Sequence, residues 1–157
     1  MYYDGFPQLC NAMEYIFSEE ARDDNIQFSE EDSIDMIPFE SIVHEMTSTN
    51  DGTKTDLIMH DLYSRTPYGG TAIYDAAIAA INVLKDEDRS KKNVSVILMT
   101  DGEGNVGKES TFVSAYKNAN RDIPVYSIMF GDADSTQLEE IAKLTNAKVF
   151  DGKVDLV

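Results

Sequence analysis

The run Val94-Ser95-Val96-Ile97-Leu98-Met99 constrains the chain most. Six uncharged residues, rich in β-branched and aliphatic side chains, read as a buried strand of a parallel sheet. The run breaks at once into Thr100-Asp101-Gly102-Glu103-Gly104-Asn105, where the glycines and Asn permit a tight polar loop. An ionisable Asp101 at the carboxyl end of such a strand stands where open α/β sheets place their ligand sites. Capping the loop or the next helix is the plainer use of the same residue. A second segment, Thr66-Pro67-Tyr68-Gly69-Gly70-Thr71-Ala72-Ile73-Tyr74-Asp75-Ala76, reads as a Gly-Gly turn feeding a helix with Thr71 at its N-cap. If the two segments converge at one sheet edge, they offer a hydroxyl and a carboxylate, a pairing suited to a hard divalent cation such as Mg²⁺.

The rest of the chain supplies the alternation of strands and helices that an α/β sheet needs. Leu9, Ala12, Met13, Ile16 and Phe17 line one face of a helix over residues 8–23, ended by the charged run from Glu19 to Asp24. Residues 33–39 read as a strand closed by Pro38, with Ile42–Met46 as a short hairpin partner. After a turn at Ser48–Gly52 a helix is expected at about 53–63. The Gly69-Gly70-Thr71 turn opens another, whose stripe of Ile73, Ala77, Ala80, Ile81 and Leu84 is small enough for close approach to a sheet. A helix near 109–119, a strand at Pro124–Phe130, a helix opened by a Thr136…Glu139 capping box and a short strand Lys148–Phe150 complete the order. Asp132 and Asp134 follow a strand as Asp101 does, and serve either a turn and N-cap or the field of a nearby ion.

A chain of 157 residues without repeat or linker is the size of one domain, 1–157. Its net charge of −16, with scattered Lys and Arg, leaves no basic patch for phosphates and argues against nucleic acid as a partner. Cys10 stands alone and forms no internal disulfide. His44 and His60 lack the ligand spacing of a zinc site, and no apolar run reaches membrane-spanning length.

The combination Gly-Gly-Thr-Ala-Ile-Tyr-Asp-Ala (69–76), then Val-Ile-Leu-Met-Thr-Asp-Gly-Glu-Gly-Asn (96–105), resembles the von Willebrand factor A domain. The likeness continues through Ile123–Asp134, Leu138–Ala142 and Val149–Gly152, most like bacterial members, including those joined to a solute-binding-like module. It implies a Rossmann-like open sheet, mostly parallel, with helices on both faces and one antiparallel edge strand. It also implies a non-enzymatic protein-interaction or adhesion module with a metal-ion-dependent adhesion site for Mg²⁺ or Mn²⁺. By that resemblance Thr71 is a direct metal ligand and Asp101 a ligand through water, while a partner's carboxylate completes the coordination. Asp75 is expected on the helix surface.

The family's first metal segment, Asp-x-Ser-x-Ser after the first strand, has no counterpart here, since Met1-Tyr2-Tyr3-Asp4-Gly5-Phe6-Pro7 leads directly into helix pattern. The resulting expectation is an N-terminally truncated domain lacking its first strand, with part of the metal site and no ion bound. The vacant central position would then be met by direct pairing of the flanking strands, by residues 1–7, or by self-association through a donated strand.

Two other readings stand beside this one. Gly102-Glu-Gly-Asn-Val-Gly107-Lys108-Glu109 comes within one residue of the P-loop pattern of nucleotide hydrolases, but Glu109 stands where a Mg²⁺-binding hydroxyl belongs. A domain that binds through its surface without metal is the other.

Overall fold

The computed structural model describes residues 5–23, 26–119, 122–131 and 135–152. Helix α1 (Gly5–Ile16) is followed by a 3₁₀ turn at Glu20–Arg22, so the single helix expected over 8–23 is broken. The break lies at Ser18, whose hydroxyl donates to Tyr15 O (2.8 Å) and accepts from Ala21 N (3.2 Å), local bonds that compete with helix continuation.

Strand β1 (Ile34–Met36) pairs antiparallel with β2 (Thr47–Thr49), Ile34 opposite Thr49. The expected partner, Ile42–Met46, is instead part of a tight loop closed by a single Phe39–Val43 bridge. Within that loop Glu40 N donates to Ile42 O (2.9 Å) and His44 N to Pro38 O (2.8 Å), so these groups fold back locally and make no ladder. The turn expected at 48–52 begins correspondingly later. There Asp51 accepts from Thr53 N (3.1 Å) and Thr53 Oγ1 (2.6 Å), while Lys54 Nζ stands 2.6 Å away.

Helix α2 (Asp56–Ser64) packs on β2 and α1, and its Asp61 accepts from both Thr47 Oγ1 (2.8 Å) and the Arg65 guanidinium (2.8 Å), tying helix end to strand. Helix α3 (Ile73–Leu84) leads to β3 (Val96–Thr100), then α4 (Glu109–Ala119), β4 (Val125–Met129), α5 (Thr136–Leu144) and β5 (Val149–Asp151). Strands β3, β4 and β5 form a parallel sheet in that order, with Val96 opposite Val125 and Ser127 opposite Val149. The α/β class and the mostly parallel sheet with an antiparallel pair are as expected from the sequence.

The core lies on one face of the parallel sheet. Val96, Leu98 and Val125 meet Ile73, Tyr74, Ala77 and Ile81 of α3, Phe112 of α4 and Leu138 and Ile141 of α5. Ala76 and Ala77 let α3 approach the sheet closely, as the small-residue stripe requires. Phe112 and Phe130 are the largest fully buried side chains among the described residues, and the Phe112 ring lies 6.3 Å from that of Tyr74 and 6.1 Å from that of Tyr116. Thr145 fixes the start of β4: its hydroxyl accepts from Val125 N (3.1 Å) and donates to Ile141 O (3.0 Å).

The other face departs from the reading of β3 as a strand buried on both sides. Ile97 is 53% exposed, because among the described residues β3 pairs only with β4, and the packing of α1 is against α2 and the 3₁₀ turn. The two sheets remain separate, so the flanking strands have not closed upon one another, and residues 5–7 lie in α1.

Two measurements check this description. Phe112→Ala should cost about 3–5 kcal/mol, the usual range for emptying a buried aromatic site, read from urea unfolding. The Asp51 carboxyl is held down to about 2, first by its bond with Lys54 and then by that with Thr53. A carboxyl lowered by folding stabilises above its unfolded value and loses that effect as pH falls through the folded one. The stability difference between wild type and Asp51→Ala should therefore be present at pH 5 and vanish towards pH 2 in urea melts.

Candidate functional site

Thr71 comes to the loop that carries Asp101, at the carboxyl edge of the parallel sheet. Asp101 follows β3 directly, and the Thr71 hydroxyl oxygen lies 3.2 Å from where a Cβ on Gly102 would stand. The N-cap of α3 is Ala72, so Thr71 is one residue outside the position expected of it. The reason is local: the Thr71 N–H donates to Asn105 Oδ1 (2.8 Å), and its carbonyl accepts from Asn105 N (3.0 Å) and Val106 N (3.3 Å). Thr71 is held as a loop residue clamped to the Asp101 loop, with no side-chain capping bond at the helix start.

The Thr71 loop is also fixed from its other side. Gly70 N donates to Ser41 Oγ (2.6 Å) and Ala72 N to Glu40 O (2.7 Å), while Gly69 turns the chain with a φ of 92° that favours glycine. The Asp101 loop rests in turn on α5: Gly104 N donates to Gln137 Oε1 (2.7 Å), and Gln137 Nε2 donates to Gly104 O (3.0 Å). Tyr74 on α3 and Cys10 on α1 are buried ionisable groups. Burial pushes both up, helped by the Glu109 and Glu140 carboxylates at Tyr74 and by Glu14 at Cys10.

Asp101 has an unexpected neighbour. Gly5, the first residue of α1, is packed so tightly on it that a Cβ there would lie 2.5 Å from the Asp101 Cβ and 2.7 Å from its Cγ. Asp75 lies beside the Gly107 turn, 3.2 Å from where a Cβ would stand, so its carboxylate faces the Asp101 loop and is half-buried, not on open helix surface. Asp132 and Asp134 lie outside the described residues.

Sequence reasoning identified Thr71 and Asp101, but missed Ser41, Glu40, Gln137 and Gly5 as the groups that position them. Asn105 carried a signal, being a polar residue in a glycine-rich loop; Gln137 carried none.

The same bonds weigh against the phosphate-cradle reading of residues 102–108, since they take up the N–H groups of four of these residues. A P-loop binds through free backbone N–H groups. Here the N–H of Gly102 donates to Thr100 Oγ1 (3.3 Å), Gly104 to Gln137, and Asn105 and Val106 to the Thr71 carbonyl. As donors of metal ligands the residues fit in kind, since hydroxyl and carboxylate oxygens suit a hard cation. They fall short in number: among the described residues no group of three or more His, Cys, Asp or Glu side chains could hold an ion.

The model of the von Willebrand factor type A domain family matches residues 1–153. No curated protein matches the sequence. Among solved structures, an aerotolerance-related membrane protein from Bacteroides fragilis superposes with a TM-score of 0.64 at 16% identity, over 93% of this chain and 80% of that one. Proximal thread matrix protein 1 from the mussel byssus gives a TM-score of 0.60 at 19% identity, over 96% of this chain and 38% of that one. At such identities these likenesses show a shared fold and nothing finer.

The close approach of Gly5 to Asp101 predicts that Gly5→Ala displaces the carboxylate or the first turn of α1. Overpacking of this kind costs about 1–3 kcal/mol, to be read as a lowered thermal midpoint, with NMR shift changes centred on residues 101–102.

Proposed function

The chain belongs to the von Willebrand factor type A domain family, and from that membership we infer a non-enzymatic protein-interaction module that binds at the carboxyl edge of its parallel sheet. Members of this family generally mediate protein interactions. The observation that supports this edge is the convergence there of Thr71 and Asp101 on two loops hydrogen-bonded to each other. In this reading the Thr71 hydroxyl would hold a divalent cation, Mg²⁺ or Mn²⁺, directly and Asp101 would hold it through water. The ion would supply a positive charge able to accept a carboxylate from a protein partner. Mg²⁺ gives up water reluctantly, and two protein oxygens would leave most of its ligands to be water, so the chain by itself would bind the ion weakly. A partner carboxylate would then contribute a large share of the remaining coordination.

The test is a Mn²⁺ titration of the ¹⁵N-labelled chain. Paramagnetic broadening should appear first at the amides of residues 71–72 and 101–103. Thr71→Ala and Asp101→Ala should each weaken it severalfold without unfolding the protein, because neither side chain belongs to the buried core. Broadening scattered over other carboxylates, or unchanged in both variants, would sink the assignment.

A further inference from the structure

We propose that Tyr68 and Glu40 form an arginine-accepting subsite on the rim of the Thr71–Asp101 edge, so that the partner presents an exposed arginine there. This rests on reading that edge as the partner-binding end. Tyr68 is 80% exposed, more than any other large hydrophobic side chain among the described residues. It is not carried on a loose loop, because the three residues after Gly69 are each bonded through their N–H groups to Ser41, Asn105 and Glu40. An aromatic ring presented on a fixed backbone loses little conformational freedom when a partner covers it, which is why tyrosine is favoured at binding surfaces.

Glu40 brings a carboxylate to the residue next to Tyr68. Its Oε1 stands 3.6 Å from His44 Nε2, while its Oε2 lies 2.5 Å from where a Cβ on Gly69 would be, at the residue next to Tyr68. Ile42, 60% exposed on the same loop as Glu40, adds an apolar wall. A guanidinium matches this set: its plane stacks on an aromatic face, its edge bonds a carboxylate, and its methylene stem covers aliphatic surface. A lysine ammonium is a compact charge that cannot stack and bond in the same way. The net charge of −16 favours approach of a cation over an anion.

The experiment titrates an acetylated, amidated Gly-Arg-Gly peptide into the ¹⁵N-labelled full chain in EDTA, with Gly-Lys-Gly as comparison. Saturable shifts confined to residues 40–42 and 68–70 are expected, with the lysine peptide about threefold weaker. Tyr68→Ala and Glu40→Gln should each lower the affinity about threefold, and Tyr68→Phe should retain it. Shifts spread over acidic residues, equal for both peptides and unchanged by Tyr68→Ala, would overturn the subsite. Because EDTA removes divalent ions, a confined peptide response without Mn²⁺ broadening at Thr71 would fell the metal reading alone, and the reverse would fell the arginine subsite alone.

Discussion

The reciprocal hydrogen bonds between Thr71 and Asn105 hold the carboxyl edge of the parallel sheet together. Thr71 donates its N–H to the Asn105 side chain and takes the Asn105 N–H on its carbonyl, so two loops, one between α2 and α3 and one between β3 and α4, become one unit. Each loop is then fastened to a further element, the Thr71 loop to residues 40–41 and the Asp101 loop to Gln137 of α5. Four segments far apart in sequence are thereby locked at one sheet edge. Loops that carry function are usually the least ordered part of a fold; here the backbone polar groups are satisfied by specific partners, which fixes where Thr71 and Asp101 stand.

This arrangement also shows what a glycine-rich loop after a buried strand can serve besides a nucleotide. Glycines leave a backbone free to approach a phosphate, but they equally leave it free to approach the protein. Gly104 is gripped at both its N–H and its carbonyl by one glutamine, and a Cβ there would lie 2.5 Å from the Ile73 side chain. The spacing of glycines in a sequence records that close approach occurs, and not what is approached.

The division of the sheet has a consequence for the two faces of β3. The Val96–Leu98 face is covered by α3, α4 and α5 and provides the core, so the domain's packing is concentrated on one side. Ile97, at the middle of the opposite face, stays half in water, and α1 packs with α2 and the 3₁₀ turn. Alternation along a strand tells which residues share a face, but the cover of each face depends on where helices distant in sequence come to rest.

The sequence by itself determined the order of strands and helices from residue 56 onward, the parallel sheet and the alanine-rich helix against it. These follow from signals local to a few residues: uncharged β-branched runs, helical periodicity and glycine turns. It misplaced the partner of β1, because Ile42–Met46 is apolar enough for a strand and only the bonds from Glu40 to Ile42 and from His44 to Pro38 fold it back. It put Thr71 at a helix cap, because a threonine before an apolar helical run reads as one; the competing acceptor, Asn105, lies 34 residues away. Tertiary structure alone decided that Gln137 grips Gly104, that Gly5 abuts Asp101 and that Glu40 stands beside Gly69. In each case the determining contact joins side chains and backbone groups brought together only by the packing of whole elements, and no local pattern encodes it.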